Sequence, residues 1–358
     1  MPAPDPMSLI RSLEVLNHDF VPPRLLCRES QYNELAMELK LMASGFPPPR
    51  LVLFGPSGTG KTVTMRKVLA DLNAPHAYVV AEGSAFKTLA ALANVLSRKR
   101  WGPGTTMLWR EVDEALPKPC LVVIDEAEKF MVRDEKSDEL LYMLLERPGT
   151  GLVLISNRVD LRDHIRDARV KSRFNARTII FPPYRPDEIY AIAEDRLRMA
   201  LKVGVEEVAD EQALKLLAAL AAQRGGDARY AIDVLREAVK LWIVRGGRIT
   251  EDLVREASKR VESSYVVECL RELSSSHKLM LLAALTSKTV GEAYRAFHEM
   301  AKGCGLPLLS ERRLRDLLSD LEMMGYLSVR REGRKYLLEP SRWLPQDAVE
   351  VLKRELFP

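Results

Sequence analysis

Between residue 50 and about residue 184, short apolar runs alternate with longer segments whose apolar residues recur at helical spacing. The runs are Leu51–Phe54, Ala77–Val80, Leu121–Ile124, Leu152–Ile155 and Thr178–Phe181. Each is a few residues long, rich in Val, Ile and Leu, and lacks the strict alternation of a half-exposed strand. Runs of this kind predict parallel strands buried on both faces, with helices as the crossovers. The fold class that follows is α/β, a parallel sheet covered on each side. After Phe181-Pro182-Pro183-Tyr184 the strand signal stops. Four helical patterns follow at 187–201, 211–224, 228–244 and 251–261. Asp210 and Thr250 are placed to cap two of them, and Gly225-Gly226 and Gly246-Gly247 to end two. This stretch reads as a small all-helical domain.

Ser274-Ser275-Ser276 marks the next joint. Beyond it the pattern predicts helices over 277–285, 290–302 and 311–325, the second opened by a capping box of Thr289 and Glu292. Two extended pieces, 326–331 and 335–339, flank Glu332-Gly333-Arg334, and a terminal helix covers 347–356. Three helices and a β-hairpin in that order describe a winged-helix domain. The alternating prolines at the start predict a flexible arm over residues 1–16. The expected organisation is therefore an arm (1–16), an α/β domain (17–184), a helical domain (185–272) and a winged helix (273–358).

Composition narrows the class only a little. The chain has 358 residues, 47% of them hydrophobic, and a net charge of +4, so any basic binding surface must be local. Cys27, Cys120, Cys269 and Cys304 stand far apart without a C-x-x-C pair, which argues for free thiols over a metal site or disulfide framework. No apolar run has the length of a membrane span, and no basic stretch precedes an apolar core near residue 1. The expected setting is a reducing intracellular compartment, with no membrane partner.

The chemistry lies where the strands end. Gly55-Pro56-Ser57-Gly58-Thr59-Gly60-Lys61-Thr62 fits G-x-x-x-x-G-K-[ST], directly after one predicted strand and before a helix that continues through Val63. Its glycines let the backbone turn N–H groups inward on a phosphate, Lys61 offers a point charge, and the Thr62 hydroxyl is a hard ligand for Mg²⁺. Leu121–Ile124 runs into Asp125-Glu126. At the carboxyl end of a neighbouring strand, Asp125 would hold Mg²⁺ through its water shell and Glu126 would act as general base. Leu152–Ile155 ends instead in Ser156-Asn157, where the Asn157 amide could orient a water or touch a γ-phosphate. Arg169 and Arg173 in Arg169-Val170-Lys171-Ser172-Arg173-Phe174 are either a solvated helix face or an arginine finger for a neighbouring subunit. Arg229 in Gly226-Asp227-Ala228-Arg229 could reach the γ-phosphate from the helical domain.

Taken in order, the phosphate loop, Asp125-Glu126, Asn157, Arg173 and Arg229 resemble the Walker A, Walker B, sensor 1, arginine finger and sensor 2 of the AAA+ ATPases. More narrowly, the chain resembles the archaeal and eukaryotic replication initiators, the origin-recognition-complex subunits. His18-Asp19-Phe20-Val21-Pro22 with Leu25 and Arg28-Glu29 looks like their adenine-side motif, and Phe181-Pro182-Pro183-Tyr184 like their entry to the lid. The resemblance implies ATP/ADP and Mg²⁺ as cofactors, with Val21, Pro22, Arg28 and Tyr184 beside the nucleotide and Arg173 favoured over Arg169 as the finger. Glu128 departs from the family pattern, which carries an aspartate there.

Three basic clusters point to DNA. In 311–325, Leu314, Leu317, Leu318, Leu321 and Met324 form a core stripe, while Arg312, Arg313 and Arg315 crowd the first two turns behind Ser310. This is the layout of a recognition helix whose amino end enters the major groove, with Asp316 and Asp320 limiting how deeply it can lie. The hairpin tip carries Arg330, Arg331, Arg334 and Lys335, opposed by Glu332, and suits phosphates and the minor groove. Arg98-Lys99-Arg100 falls where the resembled family carries an extra DNA-touching helical element. The expected function is an ATP-switched initiator that binds origin duplex and helps recruit the replicative helicase, alone or with paralogous subunits. Its expected place is the cytoplasm at the nucleoid, or the nucleus in a eukaryote. The alternatives are a ring-forming branch-migration motor and a nucleotide-switched signalling ATPase.

Overall fold

The structure is a computed structural model that describes residues 5–97, 105–132, 134–333, 335–341, 344–345 and 347–357. The chain divides into two compact units, Met1–Val254 and Arg255–Pro358.

Five parallel strands organise the first unit: β1 (Arg50–Phe54), β2 (His76–Val80), β3 (Cys120–Asp125), β4 (Thr150–Ser156) and β5 (Arg177–Ile180). Their order is β2-β3-β4-β1-β5, so β3, β4 and β1 are the interior strands. Every residue of β3 and β4 is buried, which is why these two runs lack alternation. Alternate side chains still point to opposite faces. Leu51, Leu53, Val123, Val153 and Ile155 pack on one side with α1 (Glu29–Ala43) and α2 (Lys61–Leu72). Val52, Val122, Ile124, Leu152 and Leu154 pack on the other with α3 (Ala85–Ser97), α4 (Thr105–Ala115), α5 (Glu128–Met131), α6 (Ser137–Glu146) and α7 (Ala168–Arg173). One buried cation fastens the end of the sheet away from the phosphate loop. Arg147 donates to the Asp113 carboxylate at 2.7 Å, to the Thr150 hydroxyl at 3.0 Å and to the Leu116 carbonyl at 2.6 Å.

A layer of helices follows: α8 (Pro186–Ala200), α9 (Val205–Val208), α10 (Glu211–Gln223) and α11 (Ala228–Arg245). Gly225, Gly226, Gly246 and Gly247 all have positive φ and end α10 and α11, as the sequence predicts. Asp210 precedes α10 without capping it by its side chain, because its carboxylate is taken by Arg248 at 2.7 Å. α12 (Glu251–Glu272) is longer than the predicted 251–261, and the division between the two units falls within it.

Residues 5–16 correct the expectation of a flexible arm. Two 3-10 turns, Pro6–Leu9 and Glu14–Leu16, lie against the helical layer. The Arg11 N–H donates to the Ala200 carbonyl at 2.7 Å and the Lys202 N–H to the Leu9 carbonyl at 2.8 Å. Val15 and Leu16 are 7% and 0% exposed. Pro6 fits because the first turn of a 3-10 helix tolerates proline, and the buried Val15 and Leu16 supply docking energy.

The second unit contains α13 (Ser275–Leu285), α14 (Val290–Gly303), α15 (Glu311–Met323), the antiparallel hairpin β6 (Leu327–Glu332) and β7 (Lys335–Pro340), and α16 (Ala348–Leu356). The Thr289–Glu292 capping box is present, and Ser274 and Ser310 cap α13 and α15. Thr289 makes an isolated antiparallel bridge to Leu337 beside the two-stranded hairpin. Phe297, Leu314, Leu317 and Leu321 form the core with Leu279–Ala284.

The docked amino-terminal segment has a measurable consequence. Leu16→Ala should lower the unfolding free energy by about 2–5 kcal/mol, the usual cost of a cavity at a buried leucine. Chemical denaturation of the full chain measures it, and an unchanged midpoint would mean that the segment is a loose arm.

Candidate functional site

The carboxyl ends of β1, β3 and β4 open on one cleft, roofed by α8 and α11. Ser57 to Val63, Asp125, Glu126, Glu128, Ser156, Asn157, Tyr184 and Arg229 all line it. Three of the predicted elements, from three different strands, are therefore brought to one place. Gly55 and Pro56 sit behind the wall, where their carbonyls accept from the Lys61 ammonium at 2.6 and 2.7 Å. Burial in the loop pulls the Lys61 pKa down, against the pull of Asp125 and Glu128.

The loop is held open by its neighbours. Gly58 and Gly60 have φ of +71° and +89°, a region that L side chains rarely adopt. A Cβ on Gly58 would lie 1.7 Å from an Asp227 carboxylate oxygen, and one on Gly60 would lie 2.5 Å from the Tyr184 hydroxyl. The Ala228 N–H donates to the Gly58 carbonyl at 3.2 Å, so the first turn of α11 rests on the phosphate loop. Asp227 caps that helix through the N–H groups of Arg229 and Tyr230.

Carboxylates and hydroxyls form the opposite wall. Asp125 accepts from the Thr62 hydroxyl at 2.7 Å and from the Tyr78 hydroxyl at 2.5 Å on one oxygen. Its other oxygen accepts from the Glu126 N–H at 2.9 Å. Glu126 has φ of +54° and pairs with Lys129. That bond raises the Lys129 pKa. Glu128 leaves one carboxylate oxygen buried without a hydrogen-bond partner. Hard oxygens beside a lysine and a ring of backbone N–H groups suit a Mg²⁺–phosphate pair. Among the described residues no cluster of three or more His, Cys, Asp or Glu forms a metal cage by itself. That fits an ion whose remaining ligands are phosphate oxygens and water.

At its other end the cleft is apolar. Pro22, Leu25, Leu26, Ile192 and Ile232 line it together with His18, Arg24, Asp195 and Arg196. The sequence pointed to Pro22 and, through the motif, to His18 and Leu25. Nothing in the sequence singled out Ile192 or Ile232. Val21 and Arg28, which the resemblance puts beside the nucleotide, are not among the residues that line the cleft. Arg28 is 3% exposed. Its guanidinium donates to the carbonyls of Thr59 at 2.9 Å, Cys27 at 2.7 Å and Pro182 at 2.6 Å. It also stacks 3.6 Å from the centre of the Tyr184 ring. Burial of that ring pushes the Tyr184 phenol up to about 12. From the helical layer, Arg196 donates to the carbonyls of Val15 at 2.8 Å and Phe20 at 3.1 Å. His18 meets the buried Asp233 at 2.7 Å.

The arginines expected to act on a neighbour are outside the cleft. Arg173 pairs with Glu146 at 2.7 Å and Arg169 with Asp167 at 2.7 Å, both near the Tyr142 ring.

In the second unit Arg312, Arg313, Arg315, Arg330, Arg331 and Lys335 are exposed, and Ser310 is spent as the α15 cap. Two details differ from expectation. Asp320 meets His277 at 3.2 Å, so it is drawn into the domain, and Asp316 faces Arg313 at 3.9 Å. On the hairpin, Glu339 faces Arg330 at 3.9 Å in addition to the predicted Glu332. Arg98, Lys99, Arg100 and Arg334 lie outside the described residues.

Comparison with known proteins adds independent findings. Residues 48–165 match the AAA domain, residues 190–259 the Cdc6 AAA+ ATPase-type lid domain, and residues 268–351 the CDC6 C-terminal winged helix domain. An ORC1-type DNA replication protein of Methanothermobacter thermautotrophicus is 35% identical over 365 residues, spanning 97% of this chain and 98% of that protein. ORC1-type DNA replication protein 1 of Archaeoglobus fulgidus is 31% identical over 90% of this chain and 84% of its own length. Among solved structures, the Aeropyrum pernix ORC1 protein in complex with DNA matches with a TM-score of 0.81 at 27% identity, covering 97% of each chain.

Arg28 should be intolerant of even a conservative change. Lysine keeps the charge but cannot serve three separated carbonyls or stack as a plane. Arg28→Lys is expected to cost about 2–4 kcal/mol of stability, the sum of the lost charge-assisted bonds. Urea denaturation checks it; a loss within a few tenths of a kcal/mol would show that Arg28 is dispensable.

Proposed function

The chain belongs to the ORC1/Cdc6-type DNA replication proteins, AAA+ ATPases with a Cdc6 lid and a Cdc6 winged helix, and from that premise we propose that it is an ATP-switched initiator acting on origin duplex DNA. The observation that carries the switch is the seat of α11 on the phosphate loop. Ala228 is bonded to Gly58, Asp227 fills the space over it, and Arg229 lines the same cleft as Lys61. A γ-phosphate in this cleft would meet charge from both the sheet and the lid, so its loss on hydrolysis would loosen the lid.

In this reading the apolar end takes the adenine and the N–H groups of residues 57–63 hold the phosphates. The Thr62 hydroxyl and, through its water shell, Asp125 would hold Mg²⁺, which would neutralise charge on the phosphates. Asn157 positions the attacking water and Glu126 accepts its proton, once released from Lys129. The Glu126–Lys129 pair is half-exposed and opens readily in water; slow turnover, in this reading, suits a timer. Arg173, exposed on α7 and paired with Glu146 beside the Tyr142 ring, serves as finger toward a second copy or a paralogous subunit on DNA. The Arg312–Arg315 turn and the Arg330–Lys335 hairpin take DNA phosphates and groove edges. The replicative helicase is the partner recruited by the DNA-bound state, and the nucleoid is the place of action.

Duplex carrying the host origin should bind more tightly than random duplex at moderate salt, and more tightly with ATP than with ADP. Equal binding to origin and random duplex in fluorescence anisotropy would remove the initiator reading. Arg330→Ala with Arg331→Ala should weaken DNA binding about tenfold and reduce the salt dependence by about two counterions, as expected for two lost phosphate contacts. Glu126→Gln should retain ATP affinity while hydrolysis falls at least about a hundredfold; an unchanged phosphate-release rate would remove Glu126 as the base.

A further inference from the structure

We propose that Tyr78 is a positioning residue for the Mg²⁺ site, holding the Asp125 carboxylate in the orientation from which it meets the ion's water shell. The proposal rests on the placement of Mg²⁺ at Thr62 and Asp125 argued above. Nothing in the sequence singled out Tyr78, which reads as one residue of a strand.

The parallel register creates the contact. Tyr78 pairs with Val123 and Val80 with Asp125, so Tyr78 and Asp125 lie on one face of the sheet, two residues apart along neighbouring strands. A phenol is long enough to span that offset. α2 covers the same face, and its Thr62 and Arg66, one helical turn apart, reach the two ends of the pair. Thr62 donates to the Asp125 oxygen that Tyr78 also bonds, and the Arg66 guanidinium lies 5.2 Å from the centre of the Tyr78 ring.

Asp125 thus receives three donors: two hydroxyls on one oxygen and the Glu126 N–H on the other. With both oxygens tied, the carboxylate plane cannot rotate, and the one bond from Thr62 commits that hydroxyl's hydrogen. The Thr62 lone pairs are then left to face a cation. Without the phenol, Asp125 keeps one side-chain donor and gains freedom to turn. The threonine hydroxyl loses its fixed partner with it. Groups standing behind metal-binding residues commonly carry a large share of metal affinity for this reason.

Tyr78→Phe in the full chain, with the ring retained over Arg66, tests the assignment. ADP binding is measured by calorimetry across a MgCl₂ titration and again in EDTA. The variant should need about tenfold more Mg²⁺ for half of the metal-dependent gain in ADP affinity, with ADP affinity in EDTA within about twofold of wild type. An unchanged Mg²⁺ midpoint would overturn the proposal. So would equal weakening in Mg²⁺ and in EDTA, the mark of a general packing defect. If wild-type affinity for ADP does not respond to Mg²⁺ at all, the metal placement itself fails, an outcome distinct from either of these.

Discussion

A single buried guanidinium joins the parts of the first unit that a nucleotide would have to read together. Arg28 bonds the phosphate loop at Thr59, its own strap at Cys27 and the entry to the lid at Pro182, and it stacks on Tyr184. A cation that is 3% exposed is tolerable only when its donors are matched. Here the match is to carbonyls, which carry no charge of their own to spare. The consequence is rigidity: none of the three segments can shift without stranding both the cation and a carbonyl. The loop's conformation is thus built before any ligand arrives, and preorganisation of this sort lowers the cost of binding.

The amino-terminal segment extends the same logic across the cleft. Residues up to Phe20 are fastened to the helical layer by Arg196, by His18 on Asp233 and by the backbone bonds at Ala200 and Lys202. Arg28, eight residues further on, is fastened to the sheet. The stretch between, with Pro22, Leu25 and Leu26, forms part of the apolar wall. A base held against that wall touches a strap with one end on the lid and the other on the sheet. In the proposed reading, lid position and occupancy of this wall would be linked through these few residues by packing, alongside the contact of α11 with the phosphate loop.

The second unit separates its charges by a similar economy. Ser310, Thr289 and Ser274 are consumed as caps, and Asp320 is consumed by His277. What remains exposed on the first turns of α15 and on the hairpin is predominantly cationic. Pairing of an aspartate inside the domain removes a repulsive charge from the face that would approach phosphates. An overall charge of only +4 is compatible with a locally basic surface for this reason.

The sequence by itself determined the five strands, most of the helices and the three chemical elements at the strand ends. These features are local: burial on both faces removes alternation, helices repeat every 3.6 residues, and a phosphate loop needs its glycines within one turn. The same locality explains the errors. The alternating prolines suggested an arm because the surface that docks Leu9, Arg11 and Ser12, at Ala200 and Lys202, is far away in sequence. For Arg28 the motif gives a neighbourhood, beside the phosphate loop, and says nothing of which carbonyls its side chain meets. Tyr78 was silent because its partner is chosen by strand register, which no spacing within one strand encodes. Only the tertiary structure decided which carbonyls face Arg28, that His277 meets Asp320, and which hydroxyls fix Asp125. Each is a meeting of atoms from distant segments, set by packing geometry to a fraction of an ångström.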